Sequence, residues 1–178
     1  MKSKTTQIVL RSPRVLAMWL KPGPKGGQID LTYEALAKGV VMLGWNEFKD
    51  QQTTDDDQFQ HYLKKLYDSA YVANQITRFV REMRPSDPVL VPHMEHPSTR
   101  PNHLTCYAAT VRGGIEVRRA HFGGSHGWEM PYREVEWHGL CPQSRRRFPK
   151  SLRKALNQQQ TVWDITPLRP LVEEINHL

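Results

Sequence analysis

The residues best suited to chemistry in this chain are tryptophans that stand at the ends of apolar runs. Trp19 lies at the end of the run Val15–Leu20, Trp45 closes the run Val40–Trp45, and polar loop-forming residues follow each run. An indole ring binds a planar base by stacking, which contributes roughly 1 to 3 kcal/mol per base. Asn46 adds an amide that both donates and accepts hydrogen bonds at a base edge. The pattern predicts a site in which Trp19, Trp45 and Asn46 hold a base removed from its helix.

The ordinary alternative for these rings is a place in the hydrophobic core, because tryptophans are largely buried on average. The chain has five tryptophans. Trp137 and Trp163 stand in the middle of predicted strands, so burial is the stronger expectation for both. Trp19 and Trp45 are better placed to meet a ligand because loops follow them.

Positive charge is the second feature that suits a nucleic acid. The chain has 25 Lys and Arg against 18 Asp and Glu, which gives a formal net charge of +7. Basic side chains that contact phosphates supply affinity and register without reading sequence. A solvated basic surface is the ordinary alternative. The predicted phosphate contacts are Lys21, Lys25, Arg78, Arg145, Arg146 and Arg147.

Histidines gather in a proline-broken segment, where a metal site is conceivable. The candidate ligands are His93, Glu95, His96, His103 and Cys106. Zinc sites use close, fixed ligand spacings, and no second ligand cluster accompanies this segment. The sequence therefore predicts no metal site.

The motifs of several large enzyme classes are missing. The chain has no nucleophile elbow, no zinc-protease helix, no phosphate-cradling glycine loop and no deaminase signature. Its acidic run Asp55–Asp57 stands where a helix is predicted to begin, and carboxylates stabilise that end of a helix. We therefore expect a binding protein with no catalytic residues and no cofactor.

Composition indicates a folded protein of one domain. Hydrophobic residues make up 38% of 178 residues, well clear of the range typical of disordered chains. Cys106 and Cys141 stand too far apart for a zinc knuckle or a disulfide framework. The N-terminus lacks the apolar stretch of a signal peptide, and no apolar run is long enough to span a bilayer. The expectation is a cytoplasmic protein without membrane contact.

Hydrophobic spacing and breaker residues predict a mixed series of short elements. Strands are expected at 15–20, 40–45, 89–92, 132–139 and 161–165, with a hairpin or bulged strand around Gly113–Gly114. Helices are expected from Asp30 or Thr32, after the acidic run at 53–57, from Ser69, over 151–157 and after Thr166. The segments 21–27, 93–103 and 120–130 are expected to be loops.

Regular alternation of strands and helices is absent, so a doubly wound parallel sheet is not favoured. The order favours an α+β fold, a small β-barrel decorated with several short helices. The expected divisions are a flexible N-terminal arm at 1–14, the barrel domain at 15–166 and a C-terminal helix at 167–178.

Several stretches taken in order resemble one known family. They are GVVMLGW, NQITRFVREMRPSDPVLVP, CYAATVRGG, YREVEWHG, SLRKAL and TVWDI. Their order is similar to the N-terminal domain attached to some Mrr-type restriction endonucleases, which belongs with the PUA, EVE and YTH barrels. The family usually has Gly-Asp between helix and strand, whereas Ser86, Asp87 and Pro88 stand here. A proline at that point removes a backbone donor, so the turn is expected to differ.

The resemblance implies a PUA/EVE-like barrel that binds nucleic acid and holds a modified or flipped base in an aromatic cage. Trp19 and Trp45 match the family's aromatic positions, and Asn46 follows where polar cage neighbours occur. It implies DNA more than RNA, a role in restriction, defence or counter-defence, and a separate nuclease or helicase partner. Two other hypotheses stay open: a protein-interaction subunit that docks through Trp128 and the loop 120–130, and an enzyme acting on nucleotides through the loop His93–His103.

Overall fold

The computed structural model describes residues 14–20, 30–49, 55–93, 105–113, 117–124, 127–138, 143–144, 147–158 and 160–176. Its strands are β1 Leu16–Met18, β2 Val40–Met42, β3 Pro88–His93, β4 Thr105–Val111, β5 Arg118–Phe122, β6 Trp128–Trp137, β7 Gln143–Ser144 and β8 Val162–Asp164. Its α-helices are α1 Thr32–Lys38, α2 Asp56–Tyr67, α3 Ala70–Thr77, α4 Lys150–Ala155 and α5 Arg169–Asn176. A π-helical turn, Arg78–Glu82, extends α3, and a 3₁₀ turn, Thr166–Leu168, precedes α5.

The strands form one mixed eight-stranded sheet in the order β2-β6-β4-β3-β1-β8, with β5 beside β6 and β7 beside β4. β1 and β3 run parallel, and the other pairs are antiparallel. One edge of β6 pairs first with β5 and then with β4, while its other edge pairs with β2. The sheet therefore turns along β6 and curls into a half-barrel. The predicted α+β fold with several short helices is confirmed.

Two apolar clusters lie on opposite faces of β1, because successive strand residues point to opposite sides. Leu16 and Met18 belong to cluster one, which α2 and α3 cover with residues such as Phe59 and Ile76. The alternate positions of β1 belong to cluster two, which the carboxyl-terminal elements cover. Its fully buried members include Val15, Ala17, Leu152, Leu156, Trp163 and Val172.

The helix ends that local sequence predicted are confirmed. The carboxylate of Asp55 accepts from the backbone N–H of Gln58 at 2.8 Å, and the Ser69 hydroxyl accepts from that of Val72 at 3.2 Å. Gly39 follows α1 with φ 63°, the left-handed conformation that glycine adopts without strain. α3 continues through its π-helical turn to Glu82 and ends before Pro85, a residue that cannot continue a helix.

The prediction of a hairpin around Gly113–Gly114 is wrong. β4 and β5 do not pair with each other, because both pair with β6. The prediction of a loop over 120–130 is also wrong, since most of this segment forms the β5–β6 hairpin. Its turn requires glycine: a Cβ on Gly127 would lie 1.5 Å from the carbonyl oxygen of Phe122.

Two expectations about the chain ends also change. Residues 1–13 of the predicted arm lie outside the described residues, but Arg14 is part of the fold: its N–H donates to Asp87 at 2.7 Å and its guanidinium pairs with Glu82. Thr166 does not cap the last helix. Its hydroxyl instead accepts from the N–H of Val15 at 3.0 Å, which ties the end of the chain to β1.

Candidate nucleic-acid interface

Trp45 and Asn46 lie on a short loop that follows β2, which we call the aromatic loop, residues 43–49. The loop begins against β6, where the N–H of Leu43 donates to the carbonyl of Pro131 at 3.0 Å. Phe48 is buried in cluster one, while Trp45 and Asn46 are both half-buried. The loop is thus anchored at both ends and presents an indole and an amide at the surface.

Arg119 on β5 holds the middle of the aromatic loop. Its guanidinium donates to the carbonyl of Asn46 at 2.9 Å and to the carbonyl of Phe48, and it lies 4.8 Å from the centre of the Phe48 ring. A guanidinium that donates to two carbonyls restricts the backbone between them. Arg119 therefore positions the loop.

Two tyrosines of α2 support the same loop from beneath. The hydroxyl of Tyr62 accepts from the N–H of Lys49 at 3.2 Å. The Tyr67 hydroxyl is fully buried beside the backbone amides of Glu47 and Phe48, without a regular hydrogen bond, and burial raises its pKa. The loop backbone is therefore fixed by side chains from α2 and β5. In the part of the chain that the structure describes, nothing bonds to the side-chain amide of Asn46.

Trp19 is half-buried, and its polar atom is occupied. Its Nε1–H donates to the carbonyl of Gln158 at 3.0 Å, and its backbone N–H donates to the carbonyl of Thr161 at 2.9 Å. Its ring packs against cluster two, whereas the ring of Trp45 packs against cluster one. The two rings therefore pack on different clusters, and a single slot lined by both stays a prediction.

The other tryptophans lie in strands. Trp163 is buried, as predicted, with 1% of its surface exposed. Trp137 is half-buried and donates from Nε1 to the carbonyl of Ala35 at 3.3 Å. Trp128 is the first residue of β6, lies opposite Phe122 and packs partly against cluster one. The docking alternative expected a loop around Trp128, and the structure has a hairpin there.

Of the predicted phosphate contacts, Lys21, Lys25, Arg145 and Arg146 lie outside the described residues. Arg147 is exposed. Arg78 is half-buried, and its guanidinium donates to Gln160 Oε1 and to the carbonyl of Val162, both at 3.3 Å. Arg78 therefore has a structural role between the π-helical turn and β8.

Further cations on β6 and its neighbours are paired with acids. Arg112 pairs with Glu136, Arg118 with Glu134, and Lys38 with Glu34 at 2.6 Å. Lys38, Arg112 and Glu134 border an open cleft of about 480 Å³ on the face formed by β2, β5 and β6. Partial burial raises the pKa of Glu34, but hydrogen bonds from Lys38 and the Gly123 N–H outweigh it, so the pKa is lowered. Because these charges are paired, the cleft has little net charge.

His93 ends β3 with 2% of its surface exposed. Its ring meets that of Tyr33 edge-on at 5.3 Å and lies 5.9 Å from that of Tyr107, and its Nδ1 is 3.5 Å from a carboxylate oxygen of Asp30. Of the other candidate ligands, Glu95, His96 and His103 lie outside the described residues, and Cys106 is buried on β4. Among the residues that the structure describes, no group of three or more His, Cys, Asp or Glu is placed to hold a metal ion.

No helix in the described ranges is long and apolar enough to cross a membrane.

Comparisons with known proteins add two findings. A family model described as a domain of unknown function (DUF8426) matches residues 21–100, which is less than half of the chain. Human THYN1 protein, solved in complex with DNA containing 5-methylcytosine, is similar at 12% identity with a TM-score of 0.42, over 93% of this chain and 98% of that one. No curated protein matches the chain. At this sequence identity and TM-score, the similarity to that structure does not assign a function to this chain.

The geometry of the aromatic loop gives a first prediction. Replacing Arg119 with methionine keeps an unbranched side chain but removes the two hydrogen bonds to the loop carbonyls and the guanidinium over the Phe48 ring. We expect hydrogen exchange of the amides in 44–49 to speed up at least ten-fold, because local opening no longer breaks these bonds. Arg118→Met, which removes an exposed ion pair on the same strand, is the matched control and should leave that exchange unchanged. Equal protection in the Arg119 variant and the wild type would contradict the positioning role.

Proposed function

We propose that this chain is a nucleic-acid-binding module, acting on DNA, that holds a modified or flipped base against Trp45. The observation that carries the proposal is the aromatic loop itself. Arg119 fixes its backbone, Trp45 stays half-exposed, and the neighbouring Asn46 amide has no bond from a described residue. A site whose backbone is held before the ligand arrives loses less entropy when it binds.

The second ring of the site, in this proposal, is Trp128 rather than Trp19. β2 and β6 are antiparallel, with Val40 opposite Glu134 and Met42 opposite Tyr132. The bond from Leu43 to Pro131 continues this course by one residue. When this antiparallel course is extended, the aromatic loop runs beside the first residues of β6. Trp128 lies there, and its ring packs against cluster one, as the ring of Trp45 does. Base stacking by Trp19 stays a separate prediction, which its half-exposed ring permits.

Phosphate contacts would come from the basic residues named from sequence. Lys21, Lys25 and Arg145–Arg147 fit this role by charge, and exposed Arg147 has no partner among the described residues. Arg78 fits it less well because its guanidinium is already bonded to Gln160 and Val162. The side-chain amide of Asn46 would contact a base and not a phosphate, because it recognises hydrogen-bond donors and acceptors on one base edge.

The wider role rests on the resemblance to the N-terminal domains of Mrr-type endonucleases. We propose that the module works in restriction, defence or counter-defence and directs a separate nuclease or helicase to marked DNA. Pull-down of such an enzyme only in the presence of modified DNA would support this role. A partner that remains bound after nuclease treatment would instead favour the alternative of a protein-docking subunit.

The test of the base site compares affinities for duplexes that differ in one base. Titrating the wild type against unmodified, cytosine-methylated and adenine-methylated duplexes identifies the preferred one. Trp45→Ala should weaken binding to that duplex about ten- to hundred-fold, because one stacked base contributes roughly 1 to 3 kcal/mol. Binding to the unmodified duplex should change much less, so the preference is lost.

Tyr71→Ala is the matched control, because it removes an exposed aromatic ring from α3, and it should keep the preference. Asn46→Ala should reduce the preference while leaving part of the affinity. A wild-type chain that binds all duplexes equally, or a Trp45 variant that keeps the full preference, would defeat the proposal.

A further inference from the structure

The net charge of this chain is concentrated in one short segment. Residues 138–163 hold six Lys and Arg and no Asp or Glu, while the remainder has 19 basic residues against 18 acidic ones. Six of the seven net positive charges therefore belong to about one seventh of the chain. Such a concentration creates a local field that attracts polyanions.

Four of these cations have described positions and form what we call the basic face: Arg147, Lys150, Arg153 and Lys154. All four are exposed. Within the described residues, none of them makes an ion pair or a side-chain hydrogen bond. Three arginines outside this face, Arg14, Arg112 and Arg118, are paired with carboxylates. The basic face is therefore available to an external anion.

The helix that carries most of this face is not stable by itself. α4 has six residues and no side-chain cap at its start. Lys150 lies three residues from Arg153 and four from Lys154, spacings at which like charges oppose helix formation. Helices this short form in water only through tertiary packing. The packing here comes from Leu152 and Leu156, which are fully buried in cluster two.

Two indoles fix the end of α4 to the sheet. Trp163 donates from Nε1 to the carbonyl of Ala155 at 3.0 Å, and Trp19 donates from Nε1 to the carbonyl of Gln158 at 3.0 Å. These bonds satisfy carbonyls at and just beyond the helix end, which have no partner within the helix. They set the direction in which the charged side of α4 faces.

We propose that the basic face binds the phosphate backbone of the nucleic acid and that Trp19 is a positioning residue for it. The inference deepens the proposed function, because it places backbone contacts on α4, apart from the base site at Trp45. Charge complementarity selects the occupant: four exposed cations, none of them paired with an acid among the described residues, match a row of phosphates. Backbone contacts of this kind position the ligand and do not read its sequence.

The test removes charge from the basic face and from a matched control surface. The triple variant Lys150→Gln, Arg153→Gln, Lys154→Gln loses three exposed charges from the carboxyl-terminal segment. The control Lys64→Gln, Lys65→Gln, Arg84→Gln loses three exposed charges from α2 and the residues after the π-helical turn. Affinity for one unmodified duplex is measured from low to moderate salt for each protein.

The basic-face variant should bind the duplex about ten- to hundred-fold more weakly at low salt. The slope of log affinity against log salt should fall by about 2 to 3, because each phosphate contact to B-form DNA contributes roughly 0.9. The control should keep nearly the wild-type slope. Equal slopes in the two triple variants would overturn the proposal. So would loss of binding to phosphatidylglycerol vesicles with duplex binding unchanged, which would assign the face to a membrane surface.

Trp19→Phe tests the positioning role, since it keeps a ring but cannot donate to Gln158. We expect the slope of log affinity against log salt to be smaller than in the wild type, while the preference for a modified base is retained. Loss of that preference with an unchanged slope would overturn positioning and assign Trp19 to stacking. Failure of the proposed base site is a separate outcome: the Trp45→Ala variant would then keep the preference for a modified base. That outcome would not change the result for the basic face.

Discussion

Replacing Arg133 with methionine is expected to lower the free energy of unfolding by about 2 to 4 kcal/mol. Arg133 is 2% exposed, and its guanidinium donates to the carbonyls of Phe79 at 2.8 Å and Val80 at 2.7 Å. Both acceptors belong to the π-helical turn. Without the guanidinium they stay buried and unpaired, and each such group costs roughly 1 to 3 kcal/mol. Methionine keeps the volume of the stem, so cavity formation adds little.

Urea unfolding followed by circular dichroism measures this loss. Arg112→Met is the matched control, because Arg112 is exposed and pairs with Glu136, and it should cost less than about 1 kcal/mol. Arg133→Lys should fall between wild type and Arg133→Met, since one ammonium replaces a fork that reaches two carbonyls. An Arg133→Met protein as stable as the control would show that this bridge does not hold α3 to β6.

Replacing Asp87 with alanine is the second large effect that we expect, about 3 kcal/mol. The buried carboxylate accepts from the N–H of Arg14 at 2.7 Å and from the N–H of Arg84 at 2.8 Å. The backbone carbonyl of Asp87 also accepts from the N–H of Val111 at 3.0 Å. Asp87 thereby joins the start of β1, the end of the π-helical turn and β4. Hydrogen bonds to a charged group contribute roughly 1.5 to 3 kcal/mol each.

Thermal unfolding measures the Asp87 effect, and a loss of 3 kcal/mol corresponds to a fall in Tm of about 6 to 12 °C for a chain of this length. Asp87→Asn should recover only part of the loss, because its amide NH₂ would face one of the two backbone donors. Asp164→Ala is the control, since that carboxylate is exposed, accepts from one N–H within its own turn and lies 3.9 Å from the guanidinium of Arg14, a weaker set of contacts than that of Asp87. Similar Tm values for the two alanine variants would contradict the account.

Local structure could be predicted from the sequence because its causes lie within a few residues. The caps at Asp55 and Ser69 and the left-handed glycine at Gly39 each act on backbone groups of the same or the next turn. At the next turn, Ser86 takes φ 72°, the left-handed region that favours glycine, and Pro88 stands at the first position of β3, where a missing donor is tolerated. A difference between this turn and that of the family stays a prediction.

Strand pairing could not be predicted in the same way. β4 and β5 follow each other in sequence with glycines between them, which is the usual sign of a hairpin. In the fold, β6 is long enough to take both strands along one edge, and this arrangement depends on residues beyond the two strands. Local turn residues could not reveal that competition.

The residues of the candidate site divide in the same way, into those that the local sequence indicates and those that only the fold brings together. Trp45 and Asn46 stand out from sequence because an aromatic and an amide directly follow an apolar run. Arg119 could not be found, because its partner Asn46 is 73 residues away. The hydrogen bond of Trp19 was hidden for the same reason, since the carbonyl that accepts it lies 139 residues along the chain. Only the folded chain shows that Trp45 lies on the aromatic loop while Trp19 donates to the carbonyl of Gln158, just beyond α4.

The most direct test of the base site is photocrosslinking with a DNA duplex that carries a photoreactive base at the preferred position. Mass spectrometry then locates the crosslinked peptide. We expect the crosslink on residues 43–49 or at the start of β6 near Trp128, with loss of the crosslink in Trp45→Ala. Crosslinks confined to α4, or unchanged in Trp45→Ala, would show that the base does not enter the site described here.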